Sequence, residues 1–224
     1  LSAHPELRLS SNLNLRRSPR LIELRQRIVL GEMGHLYYLE GDYDYGRVHK
    51  ILDGWRGRIP AYSVFHGGGI HLVDLLLWLS GARVTEAFAY GNQIATHGSA
   101  FRSPDLVAAL LKCEDGTVIK ITANFASMTP HHHRLSLYGI RATFMQNHLG
   151  AAYLHSRDPD APREVLHDPY PGARKSDMLT GFVRYILDGT PPDVSQREVL
   201  DVMAVSLAVA QALHSGQPMP VIYP

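Results

Sequence analysis

Three consecutive glycines, Gly67-Gly68-Gly69, lead straight into Ile70-His71-Leu72-Val73-Asp74-Leu75-Leu76-Leu77-Trp78, and this run constrains the chain more than any other feature. Glycines allow a backbone to approach a ligand closely and to adopt dihedrals closed to other residues, or simply make a tight connection into a packed helix. The apolar residues after them recur at helical spacing, with His71, Leu75 and Trp78 on one stripe and Leu72, Leu76 and Leu79 on the next, until Gly81. A helix start there offers free N–H groups and a positive dipole end. His71, one turn in, faces the same space, and a neutral imidazole is the usual acceptor for an alcohol proton near neutral pH. Asp74, three residues on, is within reach to orient the ring.

The remaining periodicities place elements around this helix. Leu7 to Leu15 alternates like a strand. Ser18-Pro19 forms a helix start, with Leu21, Leu24 and Ile28 at helical spacing up to Gly31. Gly34 to Tyr45 reads as a Tyr-rich strand, and Gly46 to Tyr62 as a loop. Five β-prone segments follow: Val84 to Tyr90, Leu106 to Cys113, Thr117 to Phe125, His133 to Tyr138 and Ala142 to Gln146. Glu114-Asp115-Gly116 and Gly139-Ile140-Arg141 read as hairpin turns. Asp158 to Lys175, rich in Pro, Asp and Gly, reads as a surface loop. Two helices close the chain, Ser176 to Leu187 and Ser195 to His214, the second opened by the capping-box pattern Ser195-Gln196-Arg197-Glu198.

This order predicts an α+β fold: one domain over residues 1–224, a large mainly antiparallel sheet with its helices on one face. Strands apolar at both parities, such as Leu106 to Leu111, predict that the other face is covered by a second subunit, hence a homo-oligomer, dimer or tetramer.

Charge narrows the partners. Lys and Arg number 22 against 21 Asp and Glu, so no global field draws in nucleic acid or an acidic membrane surface. The apolar run Leu75 to Leu79 is far short of the roughly 20 residues of a membrane span. The single Cys113 rules out an intrachain disulfide and suits a reducing cytoplasm. Leu1 opens on a segment read as a strand leading to a helix, which gives the expectation of a fragment.

Several residues are candidates for chemistry. Arg16, Arg17, Trp55, Arg56 and Tyr62 offer donors and flat apolar faces for a hydroxylated ligand. In Pro130-His131-His132-His133-Arg134 the alternation of a strand lets only His131 and His133 converge, too few ligands for a metal without help from elsewhere, and no metal is expected. No Gly-x-Gly-x-x-Gly fingerprint follows a strand, so these residues do not hold a dinucleotide in the Rossmann manner. The residues leave three classes open: a domain that does chemistry on a hydroxylated ligand, an assembly module that binds such a ligand without chemistry, and a metal-dependent lyase or isomerase using His66, His71, His131 and His133.

The pieces Asn14-Leu15-Arg16-Arg17-Ser18-Pro19, Gly31-Glu32-Met33-Gly34, Gly54-Trp55-Arg56, Gly67 to Asp74 and Tyr138-Gly139 together resemble the C-terminal domain of the glucose–fructose oxidoreductase, inositol dehydrogenase and rhizopine-catabolism (Gfo/Idh/MocA) family. The resemblance runs over nearly the whole chain. It implies a substrate-binding and oligomerisation domain of an oxidoreductase that transfers hydride between NAD or NADP and a sugar, cyclitol or related polyol. The cofactor is then bound mainly by a Rossmann domain absent from these residues, and this domain alone is expected to be inactive. His71 matches the family's catalytic histidine, with Asp74 and His66 in support. Arg16, Arg56 and Tyr62 are assigned to substrate, and Trp55 and Gly68 to the cofactor edge. In many polyol-oxidising members an aspartate lies four residues before the histidine, and here that position is Gly67. His66 is the neighbouring polar group that could take its place.

Overall fold

The strand Leu36–Asp44 (β1) runs through the middle of the molecule and carries the site at its end. The computed structural model describes residues 7–60, 62–174 and 176–224. Eight further strands flank β1: Val84–Asn92 (β2), Leu106–Cys113 (β3), Val118–Asn124 (β4), His132–Gly139 (β5), Thr143–Asn147 (β6), Gly150–Leu154 (β7), Glu164–Leu166 (β8) and Met219–Pro220 (β9). They form one nine-stranded sheet in the order β8-β7-β6-β5-β1-β4-β3-β2-β9. Every pairing is antiparallel except β1 with β4, because the chain steps over β1 on its way from β4 to β5. The predicted turns join β3 to β4, with Gly116 at φ +88°, and β5 to β6.

Alternation divides the two faces. Leu39, Gly41 and Tyr43 of β1, Ile119 and Ile121 of β4, and Leu135 and Leu137 of β5 are buried on the helical side. There Ile70–Ser80 (α3) crosses β1 at Gly41, where a Cβ would lie 3.1–3.2 Å from methyls of Leu76 and Leu72. Gln196–Ser215 (α5) packs beside it on β2, burying Val202, Val205 and Val209. That helix is long and apolar enough to cross a membrane, but its apolar stripe is spent on the core. Its capping box is present: Glu198 N–H donates to Ser195 Oγ, and Ser195 N–H donates to Glu198 Oε2 at 2.8 Å. The fold is the α+β arrangement expected, with helices on one face. The opposite face leaves Tyr90 and Leu110 exposed around a polar centre in which Asp42 pairs with Lys120 and Arg134.

Several local expectations are corrected. Leu7 to Leu15 is not a strand: the alternation covers irregular chain, then a 3-10 turn, Asn14–Arg17, that delivers Arg16 into the interior. Pro19–Val29 (α1) starts where expected, but the Ser18 hydroxyl makes no cap bond and is buried without a partner. The loop from Gly46 to Tyr62 contains His49–Leu52 (α2) and a 3-10 turn Trp55–Arg58, anchored by buried Ile51. The segment Asp158 to Lys175 includes the edge strand β8, which is too short to show alternation. Asp177–Asp188 (α4) matches the first closing helix and ends at Gly189, φ +76°. Lys175, the last residue of the expected loop Asp158 to Lys175, lies outside the described residues, as do residues 1–6.

The glycine triplet does not open a helix. Phe65–Gly69 is a π-helical turn that continues into α3, and Ile70 N–H donates to Phe65 O. The expected free N–H groups are therefore absent at the triplet. None of the three glycines has positive φ. Their use is close approach: a Cβ at Gly68 would fall 2.8 Å from the rings of both Tyr43 and Phe125, and one at Gly67 only 2.2 Å from Tyr62 Oη.

Candidate active site

One cavity of about 470 Å³ lies over the end of β1, within the ~300–1,000 Å³ range of small-molecule sites. Strand pairing builds its floor. Tyr43 stands opposite His133 in the β1–β5 register, and their ring centroids are 5.0 Å apart. Tyr45 and Phe125 lie 4.4 Å apart, and His131 lies 5.2 Å from both Tyr45 and His133. His71 enters from α3, its ring stacked over Tyr43 at 6.1 Å and 13°. The π turn widens the helix one turn before His71, a local irregularity of the kind that collects at functional sites.

His71 Nδ1 is buried with no hydrogen-bond partner. Burial, with a smaller contribution from the charge of His131, lowers the pKa of His71 to about 4. Burial likewise lowers His131, and His133 well below its ordinary value, so all three imidazoles are neutral at pH 7. His133 Nδ1 shares a 2.8 Å hydrogen bond with Tyr170 Oη, at the edge of the cavity beside Pro171. His131 and His133 converge as the strand alternation requires. No three His, Cys, Asp or Glu side chains among the described residues come together as a metal site.

Tyr62 and Arg56 also line the cavity. Tyr62 Oη is buried and makes no well-formed hydrogen bond. Burial raises its pKa and the Arg56 charge draws it partly back, so the phenol is protonated and available as a donor. Its oxygen occupies the volume that the first atom of a side chain at position 67 would need. The glycine at position 67 and the presence of Tyr62 are therefore one packing solution.

Other expected site residues belong elsewhere. Asp74 does not orient His71: it is fully buried and accepts from Arg16 Nε at 3.0 Å and from an Arg16 terminal nitrogen at 2.6 Å. Arg16, 6% exposed, also binds Glu198 Oε1 at 2.6 Å and the Asp193 carbonyl, and its guanidinium lies 5.8 Å from the Trp78 ring centre. Burial alone would lower the Arg16 pKa, but the hydrogen bonds and charges of Asp74 and Glu198 raise it. Its donors are committed to the fold, and it does not line the cavity. His66 is half-buried outside the lining. Trp55 is 62% exposed with the Arg56 guanidinium over its ring, also outside the cavity. Gly68 is sealed beneath Tyr43 and Phe125, and it is Gly67 that reaches the cavity.

Sequence reasoning missed Tyr43, Tyr45, Phe125, Arg47 and Lys50 at this site. Tyr43 was accessible from parity with Leu39 and Gly41. Arg47 and Lys50 lie in a segment without periodicity, and nothing in it pointed inward.

The chain matches the family profile described as "GFO/IDH/MocA C-terminal domain" over residues 21–145, more than half its length. It belongs to this family. Solved structures agree in fold. An oxidoreductase domain protein from Kribbella flavida superposes with a TM-score of 0.80 at 17% identity, covering 99% of this chain and 68% of that one. Myo-inositol 2-dehydrogenase from Lactobacillus plantarum gives 0.76 at 17% identity over 99% and 67%. The WlbA dehydrogenase from Bordetella pertussis, solved with NADH and UDP-GlcNAcA, gives 0.76 at 18% identity over 97% and 65%. This chain thus spans about two thirds of the length of these solved chains. No curated protein sequence matches it.

Proposed function

We propose that this chain is the substrate-side domain of an NAD(P)-dependent oxidoreductase acting on a sugar, cyclitol or related polyol. One observation carries the reading: two buried polar atoms, His71 Nδ1 without a hydrogen-bond partner and Tyr62 Oη with nothing better than a poorly formed contact to Arg56, belong to residues that line a single cavity, and the sequence resemblance matches His71 to the family's catalytic histidine. Two such atoms call for a hydroxylated ligand, since buried polar groups in folded proteins are ordinarily paired.

The described residues do not themselves fit a dinucleotide. They contain no strand, glycine turn and helix unit with a free helix start, and the sheet has one parallel pair. We assign the cofactor to a domain outside these residues. When bound, the nicotinamide supplies the hydride acceptor. His71 accepts the hydroxyl proton as the carbon–oxygen double bond forms, and returns it in the reverse direction. Tyr62 donates to the substrate oxygen, and Arg56 fixes its orientation. Tyr43 and Phe125 give the ring an apolar floor and exclude water. We assign the exposed side of the sheet to self-association, and the lone, buried, free Cys113 fits a reducing cytoplasm.

The test is cofactor reduction, followed at 340 nm, by the full-length protein with a panel of sugars and polyols. Turnover of at least one of them with NAD or NADP supports the proposal. Binding of a sugar with no turnover under any cofactor supports the non-catalytic module and overturns it.

A further inference from the structure

Charge is distributed unevenly around the cavity. Arg47, Lys50 and Arg56 line it, and no Asp or Glu does. Across the chain the two signs nearly balance, so three cations without a carboxylate are a local departure. Elsewhere in the fold cations meet carboxylates: Arg16 meets Asp74, Arg27 meets Glu23, and Lys120 and Arg134 meet Asp42. None of the three cavity cations forms an ion pair with a described residue. The two arginines have neutral neighbours: Arg47 lies 5.4 Å from the Tyr45 ring centre, and Arg56 lies 4.7 Å from that of Trp55 and beside the Tyr62 hydroxyl.

Their field points inward. Positive charge on Arg47 and Lys50 is felt at His131, and that on Arg47 and Arg56 at Tyr43. Position 67, on the cavity lining, is a glycine, and Tyr62 fills the space beside it with a neutral hydroxyl. Three half-buried cations in a partly enclosed cavity repel one another, a cost that a bound anion removes.

Resting on the reading of this cavity as a substrate site, we infer that the substrate carries an oxyanion, a carboxylate or a phosphate ester, held by Arg47, Lys50 and Arg56 while a hydroxyl of the same molecule faces His71 and Tyr62. Arg supplies a fork that matches such groups, and Lys a point charge. A bound anion also restores basicity to His71 by offsetting the burial that lowers its pKa. The proton acceptor is then most competent with an acidic substrate in place.

The experiment measures binding and turnover separately. In the full-length protein, calorimetry and steady-state kinetics compare D-glucuronate, D-glucose 6-phosphate and neutral D-glucose, each with NAD and with NADP. The expected result is at least tenfold tighter binding of one anionic probe than of glucose, weakening with salt. Preference for glucuronate identifies a carboxylate, and preference for glucose 6-phosphate a phosphate. Arg47→Gln and Lys50→Gln each weaken the preferred anion about tenfold and leave glucose binding and cofactor affinity unchanged. Equal binding of glucose and both anions overturns the inference, and so does loss of cofactor affinity in these variants, which would assign the cations to the cofactor. Anion binding without any hydride transfer sustains the inference and sinks the dehydrogenase reading. Turnover of neutral polyols alone does the reverse.

Discussion

Removing the Asp74 carboxylate separates a structural from a catalytic role for that residue. Asp74→Ala leaves Arg16, with its side chain 5% exposed, without its bidentate partner. Breaking a buried pair from one side costs ~3–5 kcal/mol, because the remaining charge has lost its compensation. Glu198 at 2.6 Å and the Asp193 carbonyl still serve Arg16, which places the expected loss near the lower end, about 3 kcal/mol. For a domain of this size that is a fall in melting temperature of roughly 6–12 °C. Thermal and urea melts read it. The double variant Arg16→Met, Asp74→Leu, which removes both charges, is expected to recover more than half of the loss. Histidine NMR titration of Asp74→Asn supplies the functional half: His71 titrates as in the parent protein, since Asp74 faces Arg16. A loss below about 1 kcal/mol, a double variant no better than the single, or a displaced His71 titration would refute the reasoning.

Other outcomes follow from the same geometry. Gly67→Ala is expected to destabilise the fold by roughly 1–3 kcal/mol through overpacking against Tyr62, although the same change ordinarily favours a helix; Gly67→Ala combined with Tyr62→Ala recovers most of that, and additive losses in chemical denaturation would count against the packing pair. Stability depends on pH through the histidines. His71 and His132 have folded pKa values of about 4, below the unfolded 6.5, so the unfolded chain takes up protons first; stability is complete above about pH 6.5 and declines as pH falls towards 4. The His71 share is at most about 3 kcal/mol at about 1.4 kcal/mol per pKa unit, and a His71→Gln melt series between pH 7 and 4 should be flatter than the parent's.

Much of the architecture was legible because it rests on local periodicity. The helices α1, α3, α4 and α5, the capping box at Ser195 and the hairpin glycine at 116 follow from spacing and turn chemistry. Elements failed where period and burial disagree. Leu7 to Leu15 alternates, but Leu13 is buried from irregular chain and Leu15 from a 3-10 turn, and β8 and β7 are too short to carry a pattern. At the site, His71 and Tyr62 were readable from the helix and the aromatic loop. The partner of Asp74 was not, because Arg16 lies 58 residues away in sequence and meets it only after folding. The glycine triplet, expected to bring the backbone close to a ligand, is a place of close approach to the protein's own side chains. What approaches is a set of aromatic rings, Tyr43, Phe125 and Tyr62, and no dihedral there requires glycine.

The central claim is that His71 takes the substrate proton while the cofactor is held elsewhere. Its most direct test is His71→Ala in the full-length protein, with kcat measured on the preferred substrate and cofactor Kd by fluorescence titration. The account predicts that kcat falls about 10²–10⁴-fold while the cofactor Kd stays within about twofold and the melting temperature does not fall. Turnover retained at the parent level would remove His71 from the chemistry and contradict the account.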